Sequence, residues 1–311
     1  MASFIVRRFF TSLLALVGAT LIIFSVSRLL GDPRVLLLPD DAYGITEETW
    51  EELSRQLNLD KPIPVQYALW VWDLMRGDLG RDLTDRHKIA DKIPVKIAPT
   101  LKLAVSAWIL ATLIGIPLGV LSAVKRGSIP DYIGRTFALL GQTLPVFWIA
   151  ILSILIFAVW LNWLPSGTMG EGFSLKHYVL PTSTLAWFAA AGYVRLVRSA
   201  MLEVLDSEFI KLARAKGVKY NSVIWKHAFK NASIAPLTYS GVLLAGFITG
   251  SISVEVVFAW PGLARFAVEA VWTNNFTVLA VVTLMFTAAF IATNFLVDIL
   301  YAFIDPRIRY S

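Results

Sequence analysis

The chain has 311 residues, is 57% hydrophobic, carries a net charge of +6 and contains no cysteine. Its mean hydropathy of +0.66 lies well above that of an ordinary globular domain, and the missing thiols exclude disulfides, thiolate metal centres and a cysteine nucleophile. The bases gather at the ends of apolar runs, which points to membrane topology ahead of nucleic-acid binding.

Taken in order, the chain opens on a short basic stretch with Arg7 and Arg8. Residues 9–30 are then apolar apart from small hydroxyls and Arg28. This run is longer than a signal-peptide core and lacks a clean small-x-small cleavage site, so it reads as a first membrane helix. Residues 31–96 form the longest polar segment, with Asp40, Asp41, Glu47, Glu48, Glu51, Glu52 and Asp60 among its acids. Thr46 before Glu47 and Glu48 predicts a helix start. Pro62 and Pro64 predict a second helix carrying Val65, Leu69, Trp72 and Met75, and GDLG at 77–80 predicts a turn. The segment reads as a small helical cap on the external side, since segments this long translocate largely regardless of charge.

Further spans are expected at about residues 98–124, 134–160, 178–197, 234–257 and 278–304. With the first, that makes six, each sufficient at about 20 residues per crossing. Gly115, Pro117 and Gly119 sit in the second span, where a neighbouring helix must pack closely. Gln142, Thr143 and Pro145 lie in the third, and Glu255 lies near the outer end of the fifth. Pro261 and Gly262 predict a turn, and residues 263–272 a short outer helix with Arg265 and Glu269. The expected inner segments hold Arg7, Arg8, Lys125, Arg126, Arg135, Arg307 and Arg309, whereas the two short outer loops hold only Lys176 and Arg265. This bias places both termini in the cytoplasm. The chain reads as one all-α polytopic domain, 1–311.

The stretch at 193–238, whose loop proper is 198–233, holds eight more inner bases: Arg195, Arg198, Lys211, Arg214, Lys216, Lys219, Lys226 and Lys230. Apolar residues recur at helical spacing through Met201, Leu202 and Leu205, then Phe209, Ile210 and Ala213. Gly217 follows Lys216 where a helix should stop. The loop therefore reads as a helix from about Glu203, a glycine-marked corner and a second helix returning to the bilayer.

No GxxxxGK[ST] loop, GxSxG elbow or HExxH is present, and His87, His177 and His227 are scattered. Nothing in the chain argues for an enzyme or for nucleotide hydrolysis by this chain. Glu255 is the sharpest intramembrane candidate. It suits either an outer vestibule that attracts a cationic group or a structural role against an outer-loop base or backbone amide. Gln142 is the second pathway candidate, although Gln142, Asn294 and Asp298 also suit hydrogen bonds between helices. Asp298 near the inner end is placed to meet Arg307 or the solvated loop bases.

The segment RSAMLEVLDSEFIKLARAKG at 198–217 resembles the cytoplasmic EAA loop of bacterial ABC-importer permeases, nearest the B-type permease of the dipeptide, oligopeptide and nickel group. The stretches at 57–80, 250–263 and 295–309 are similar to the same group, so the likeness covers nearly the whole chain. Lys211 stands where the loop's name-giving Glu falls, and Ala264 ends a PGLG-like turn. The resemblance implies an ATP-driven importer of di- or oligopeptides or similar small solutes. Its expected partners are a homologous second permease, two ATPase subunits that hold ATP and Mg, an external solute-binding protein and the inner-membrane bilayer. No cofactor and no nucleic acid are expected on this chain. Glu203, Phe209, Ile210, Ala213, Arg214, Ala215, Lys216 and Gly217 would form the ATPase-coupling element. The competing readings are a self-contained secondary transporter or channel, which predicts paired interrupted spans, and a membrane enzyme, which predicts titratable residues clustered at one depth.

Overall fold

The computed structural model describes residues 2–29, 34, 46–170 and 174–304. Asp40, Asp41, Arg307, Arg309 and the side chain of Asp298 lie outside the described parts, and with them the expected Asp298–Arg307 contact. The described residues form thirteen helices, counting a segment that passes from α- into π-geometry as one. They are α1 (Ala2–Leu29), α2 (Glu47–Gln56), α3 (Ile63–Met75), α4 (Ile89–Val124), α5 (Ile129–Thr143), α6 (Val146–Trp160), α7 (Leu175–Leu205), α8 (Glu208–Ala215), α9 (Tyr220–Ala232), α10 (Ile234–Gly250), α11 (Ile252–Val257), α12 (Leu263–Trp272) and α13 (Phe276–Ile304). Apart from one bridge between Arg81 and Lys88, there is no strand pairing among them.

The centre is the parallel pair of α4 and α7, whose contacts advance together from Ser106 against Thr182 to Gly119 against Val197. Ala104, Ala107, Ala111, Gly115 and Gly119 form one stripe of α4 at the spacing of a single helix face. Small side chains let the two backbones approach, since a Cβ at Gly115 would stand 2.6 Å from the Tyr193 Cβ and one at Gly119 2.8 Å from the Val197 Cβ. Dispersion over so close a contact, rather than hydrophobic exclusion, holds helices together in lipid. The glycines read from the sequence as packing sites are therefore packing sites.

Three apolar clusters lie along this axis. The central one joins Leu103 and Ala107 to Ala189, Tyr193, Phe247, Phe258 and Trp260. A second joins Ile89 and Ile93 to Phe266 of α12 and Val281 of α13. A third joins Val120 and Ala123 to Met201, Ile210, Val223 and Ala228, and so ties the loop after α7 to the bundle.

Several expected boundaries move. The second span begins at Ile89 rather than near residue 98, because Pro94 and Pro99 are accommodated within a continuous helix. The third is not one helix: α5 and α6 meet at a 106° bend. Pro145 is the cause. It pushes the preceding Leu144 out of the helical region, to φ −83° and ψ 134°. The fifth starts at Ile234 as expected, but it bends by 57° from α9. It ends at Gly250, and Glu255 belongs to the separate short helix α11. The cap expected at 31–96 does contain helices after Thr46 and Pro62. Its α3 leans on α1, with Tyr67 hydroxyl-bonded to Thr20 (2.9 Å) and Trp70 against Phe24.

By length and composition, three helices can cross a membrane, or up to five if each bent pair counts as one crossing. Peripheral α1 is the least enclosed of the three.

Candidate functional site

The inner loop expected to carry coupling resolves into parts. Ser207, at φ −73° and ψ 152°, breaks the helical path after α7. Glu203 therefore sits in the last turns of α7 and not in the short helix, which is α8, Glu208–Ala215. This corrects the expectation of one helix from Glu203. The break follows because Asp206 and Ser207 prefer local hydrogen bonds, here Ser207 Oγ to the Val204 carbonyl at 2.5 Å.

At its other end α8 closes with paired backbone bonds. The Gly217 amide donates to the Arg214 carbonyl (3.0 Å) and the Val218 amide donates to the Ala213 carbonyl (3.2 Å). That is the Schellman pattern, which needs a left-handed residue, and Gly217 supplies φ +73°. Ile210 is fully buried in the third cluster and anchors the helix. Phe209, Leu212, Arg214, Ala215 and Lys216 are exposed, and Ala213 is half-buried. Lys211 spends its charge on Glu208 (2.7 Å). The result is a short, rigid helix with an apolar and basic outer face.

Beneath it lies an ion pair that sequence reading missed. Arg198 donates through Nε to Asp131 Oδ1 (2.7 Å) and through a terminal nitrogen to Oδ2 (2.9 Å). Ser122 Oγ (2.6 Å) and the Gly127 amide (2.9 Å) donate to the same carboxylate. Asp131 thus joins the end of α4, the turn after it, the start of α5 and the C-terminal part of α7. It appeared in the sequence only as one acid in a basic turn, with no spacing that links it to a residue 67 positions away.

Glu255 is fully buried. One carboxylate oxygen accepts from Thr100 Oγ1 (2.7 Å) and Ser251 Oγ (2.8 Å), the other from the Ala264 and Arg265 amides (2.9 and 3.0 Å). The Leu263 amide donates to Thr100 (2.8 Å). Glu255 therefore caps the first turn of α12, whose free amides need acceptors. Gly262 is required because a Cβ there would stand 2.3 Å from the carboxylate. The outer-vestibule expectation does not describe this geometry; the backbone-amide alternative does. Helix α12 is correspondingly no solvated outer feature, since Leu263, Ala264, Phe266, Ala267 and Ala270 are buried.

Gln142 sits elsewhere, on a groove between α5 and α7, far in sequence and cluster from Glu255. Asn294 donates to its own helix at Phe290 (2.9 Å) and bridges no neighbour among the described residues. At the opposite end of α4 from Asp131, Lys92 pairs with Asp82 and Asp85, and Asn275 donates to Asp82, which fastens the turn before α4 to the start of α13.

Comparison with known proteins addresses what this arrangement serves. A model of the binding-protein-dependent transport system inner membrane component matches residues 115–310. The chain is 37% identical over 317 residues to a putative peptide transport system permease of Brucella abortus, with both chains covered in full. It is 35% identical, again with full coverage of both, to the oligopeptide permease AppB of Bacillus subtilis and the dipeptide permease DppB of Escherichia coli K12. An inward-facing structure of the MetNI methionine ABC transporter superposes with a TM-score of 0.51 at 21% identity, over 66% of this chain and 94% of that one. Two bent pairs, α5–α6 and α9–α10, are present where the sequence showed no clear pair of corresponding interrupted spans. Interruption alone no longer argues against a secondary transporter; the relatives do. The family works with an ATPase and a binding protein, and the nucleotide is hydrolysed on a separate subunit. The chain belongs to the family of binding-protein-dependent transport system inner membrane components, and it is the membrane permease subunit of an ABC importer.

Proposed function

We propose that this permease carries di- or oligopeptides, or similar small solutes, into a bacterial or archaeal cell as half of a heterodimeric pathway. Its mate is a homologous second permease. Two ATPase subunits holding ATP and Mg close beneath them, and an external binding protein delivers the solute. The chain itself holds no cofactor. The names of the relatives support the solute class. The observation that carries the mechanism is the glycine-capped helix α8, fixed through Ile210 and open on its Phe209, Arg214 and Lys216 side. Such a helix seats in an ATPase cleft, its small Ala213 and Ala215 allowing close approach and its bases pairing with carboxylates at the rim. Closure of the ATPases then moves α8, and Ile210 transmits the push to Met201 and the base of α7.

Gly217→Val tests this. No heavy atom lies within 4 Å of the added Cβ position, so crowding is not the issue. The left-handed backbone is, at about 1–2 kcal/mol for a residue with a Cβ and more for a β-branched one. We expect a membrane-inserted permease with lost uptake and uncoupled ATPase in proteoliposomes, and Ala213→Asp should act alike by burying an unpaired charge at the contact. Normal uptake and normal binding-protein-stimulated ATPase in both variants would remove α8 from the coupling role.

The proposed topology has six crossings, cytoplasmic termini and an external segment at 31–96. Because the chain has no cysteine, single replacements report unambiguously. Lys61→Cys should react with an impermeant maleimide in intact cells, and Lys125→Cys only after lysis. The opposite pattern inverts the topology.

A further inference from the structure

Arg135, Leu139 and Gln142 share one face of α5 at spacings of four and three residues. Arg195, Ser199 and Leu202 share one face of α7 at the same spacings. The two faces border a groove of about 850 Å³. Gly141 lets α5 meet α7 behind the groove, where an added Cβ would stand 2.5 Å from Ala191, and Gly134 lets α5 approach α4, where one would stand 3.1 Å from Ser122. The groove runs from the Asp131–Arg198 pair to Gln142, a rise of about 17 Å along α5 at ~1.5 Å per residue.

Its charge is unbalanced. Arg198 is neutralised by Asp131. Arg135 and Arg195 are exposed, and among the described residues neither has a carboxylate within ion-pair distance. The Gln142 amide likewise makes no hydrogen bond to a described residue. The Arg135 guanidinium stands 5.8 Å from the centroid of the Tyr132 ring, but neither arginine has a counter-charge, and two such groups facing lipid hydrocarbon would be costly, whereas charges in membrane segments ordinarily face a water-filled cavity. The volume is that of a small-molecule pocket.

We propose that this groove is the inner part of the solute pathway, and that Arg135 and Arg195, with the Gln142 amide, receive the carboxylate of the passing solute. The inference rests on the importer reading above. A guanidinium offers a planar fork of donors that matches a carboxylate's two oxygens. The placement suits release: a solute leaving the midplane meets Gln142 first and the arginines next. Because these cations are exposed rather than enclosed, they attract an anion without holding it.

The test uses Gln142→Cys in the assembled complex, in inside-out vesicles, with an anionic (sulfonatoethyl) and a cationic (trimethylammonium-ethyl) methanethiosulfonate. Modification of this chain is read by its mass. Relative to a free thiol, the anionic reagent should gain about tenfold over the cationic one, the lower end of what a singly signed cleft does for local ion concentration. Arg195→Gln or Arg135→Gln should each reduce that preference, and both together should abolish it. During turnover, a dipeptide should slow the anionic reaction more than its C-terminal amide does. If neither reagent reacts, the face is covered by lipid or by the second permease, and the proposal fails. It fails equally if the preference survives both arginine replacements. Binding-protein-dependent dipeptide uptake by the unsubstituted complex in right-side-out proteoliposomes, with ATP inside, separates the two levels: uptake without a charge preference at position 142 sinks only this groove, and absence of uptake sinks the peptide reading with it.

Discussion

Glu255→Leu should strip α12 from the bundle and prevent assembly of the importer. The substitution matches the side chain roughly in size but removes every acceptor. Thr100 Oγ1, Ser251 Oγ and the amides of Ala264 and Arg265 all lose their partner at once. Each buried donor left unmade costs about 1–3 kcal/mol, so the sum is a large share of a typical domain's stability. The loss is not local. Thr100 also holds the Leu263 amide, and the Trp260 indole donates to the Pro99 carbonyl (3.0 Å), so α4, α11 and α12 meet at one point. Glu255→Gln is the informative companion. Its carbonyl can still accept from the two amides while its NH₂ turns to the hydroxyls, so it should fold, assemble and transport. The melting temperature of the detergent-purified complex should fall steeply for Leu and modestly for Gln. A Gln variant that assembles with normal stability but has lost uptake would return Glu255 to the solute pathway.

That result bears on what could be read before the fold was known. Hydropathy and the charge bias located the apolar segments, because both follow from the bilayer and not from tertiary contacts. The turn chemistry was equally local: Gly217 at φ +73° closes α8, and Pro261 with Gly262 opens α12, whose bounds at Leu263 and Trp272 were legible. What was not legible depends on partners distant in sequence. Glu255 looked like a pathway acid because a carboxylate near a span end is costly, and nothing nearby announced that Thr100, 155 residues away, would share it. Pro145 was seen, but its effect was underestimated. Prolines 94, 99 and 117 are absorbed by α4 while Pro145 breaks its helix. Local sequence does not separate these cases; the outcome depends on whether neighbouring helices hold the segment straight. Gln142 was singled out as a polar residue in a span, but the two arginines that give its position an electrostatic character were read as topology markers only.

The second large effect is expected at Asp131. Replacement by Ala leaves Arg198 without its bidentate partner, and Ser122 and the Gly127 amide without an acceptor. Removing one member of a buried pair costs about 3–5 kcal/mol. The Asp131 side chain is only 3% exposed but that of Arg198 is 22% exposed, so water recovers part of the guanidinium's solvation and the low end, about 3 kcal/mol, is the expectation. Asp131→Asn should be milder, since one carbonyl oxygen remains for Ser122 or Arg198 Nε. Arg198→Lys should not rescue, because an ammonium cannot reproduce the forked geometry. The pair fixes the C-terminal part of α7 against the turn after α4, and α7 leads directly into Ser207 and α8. A loosened α7 base should therefore weaken coupling even where the protein still folds. A double-mutant cycle with Asp131→Ala and Arg198→Ala separates these contributions. If the pair acts as a unit, the double variant should be less destabilised than the sum of the singles by 1 kcal/mol or more, on the order of couplings between residues in contact. Uptake per folded complex should fall in both singles. Strict additivity, with uptake per folded complex unchanged, would reduce Asp131 to a turn residue and leave α8 to be positioned by Ile210 alone.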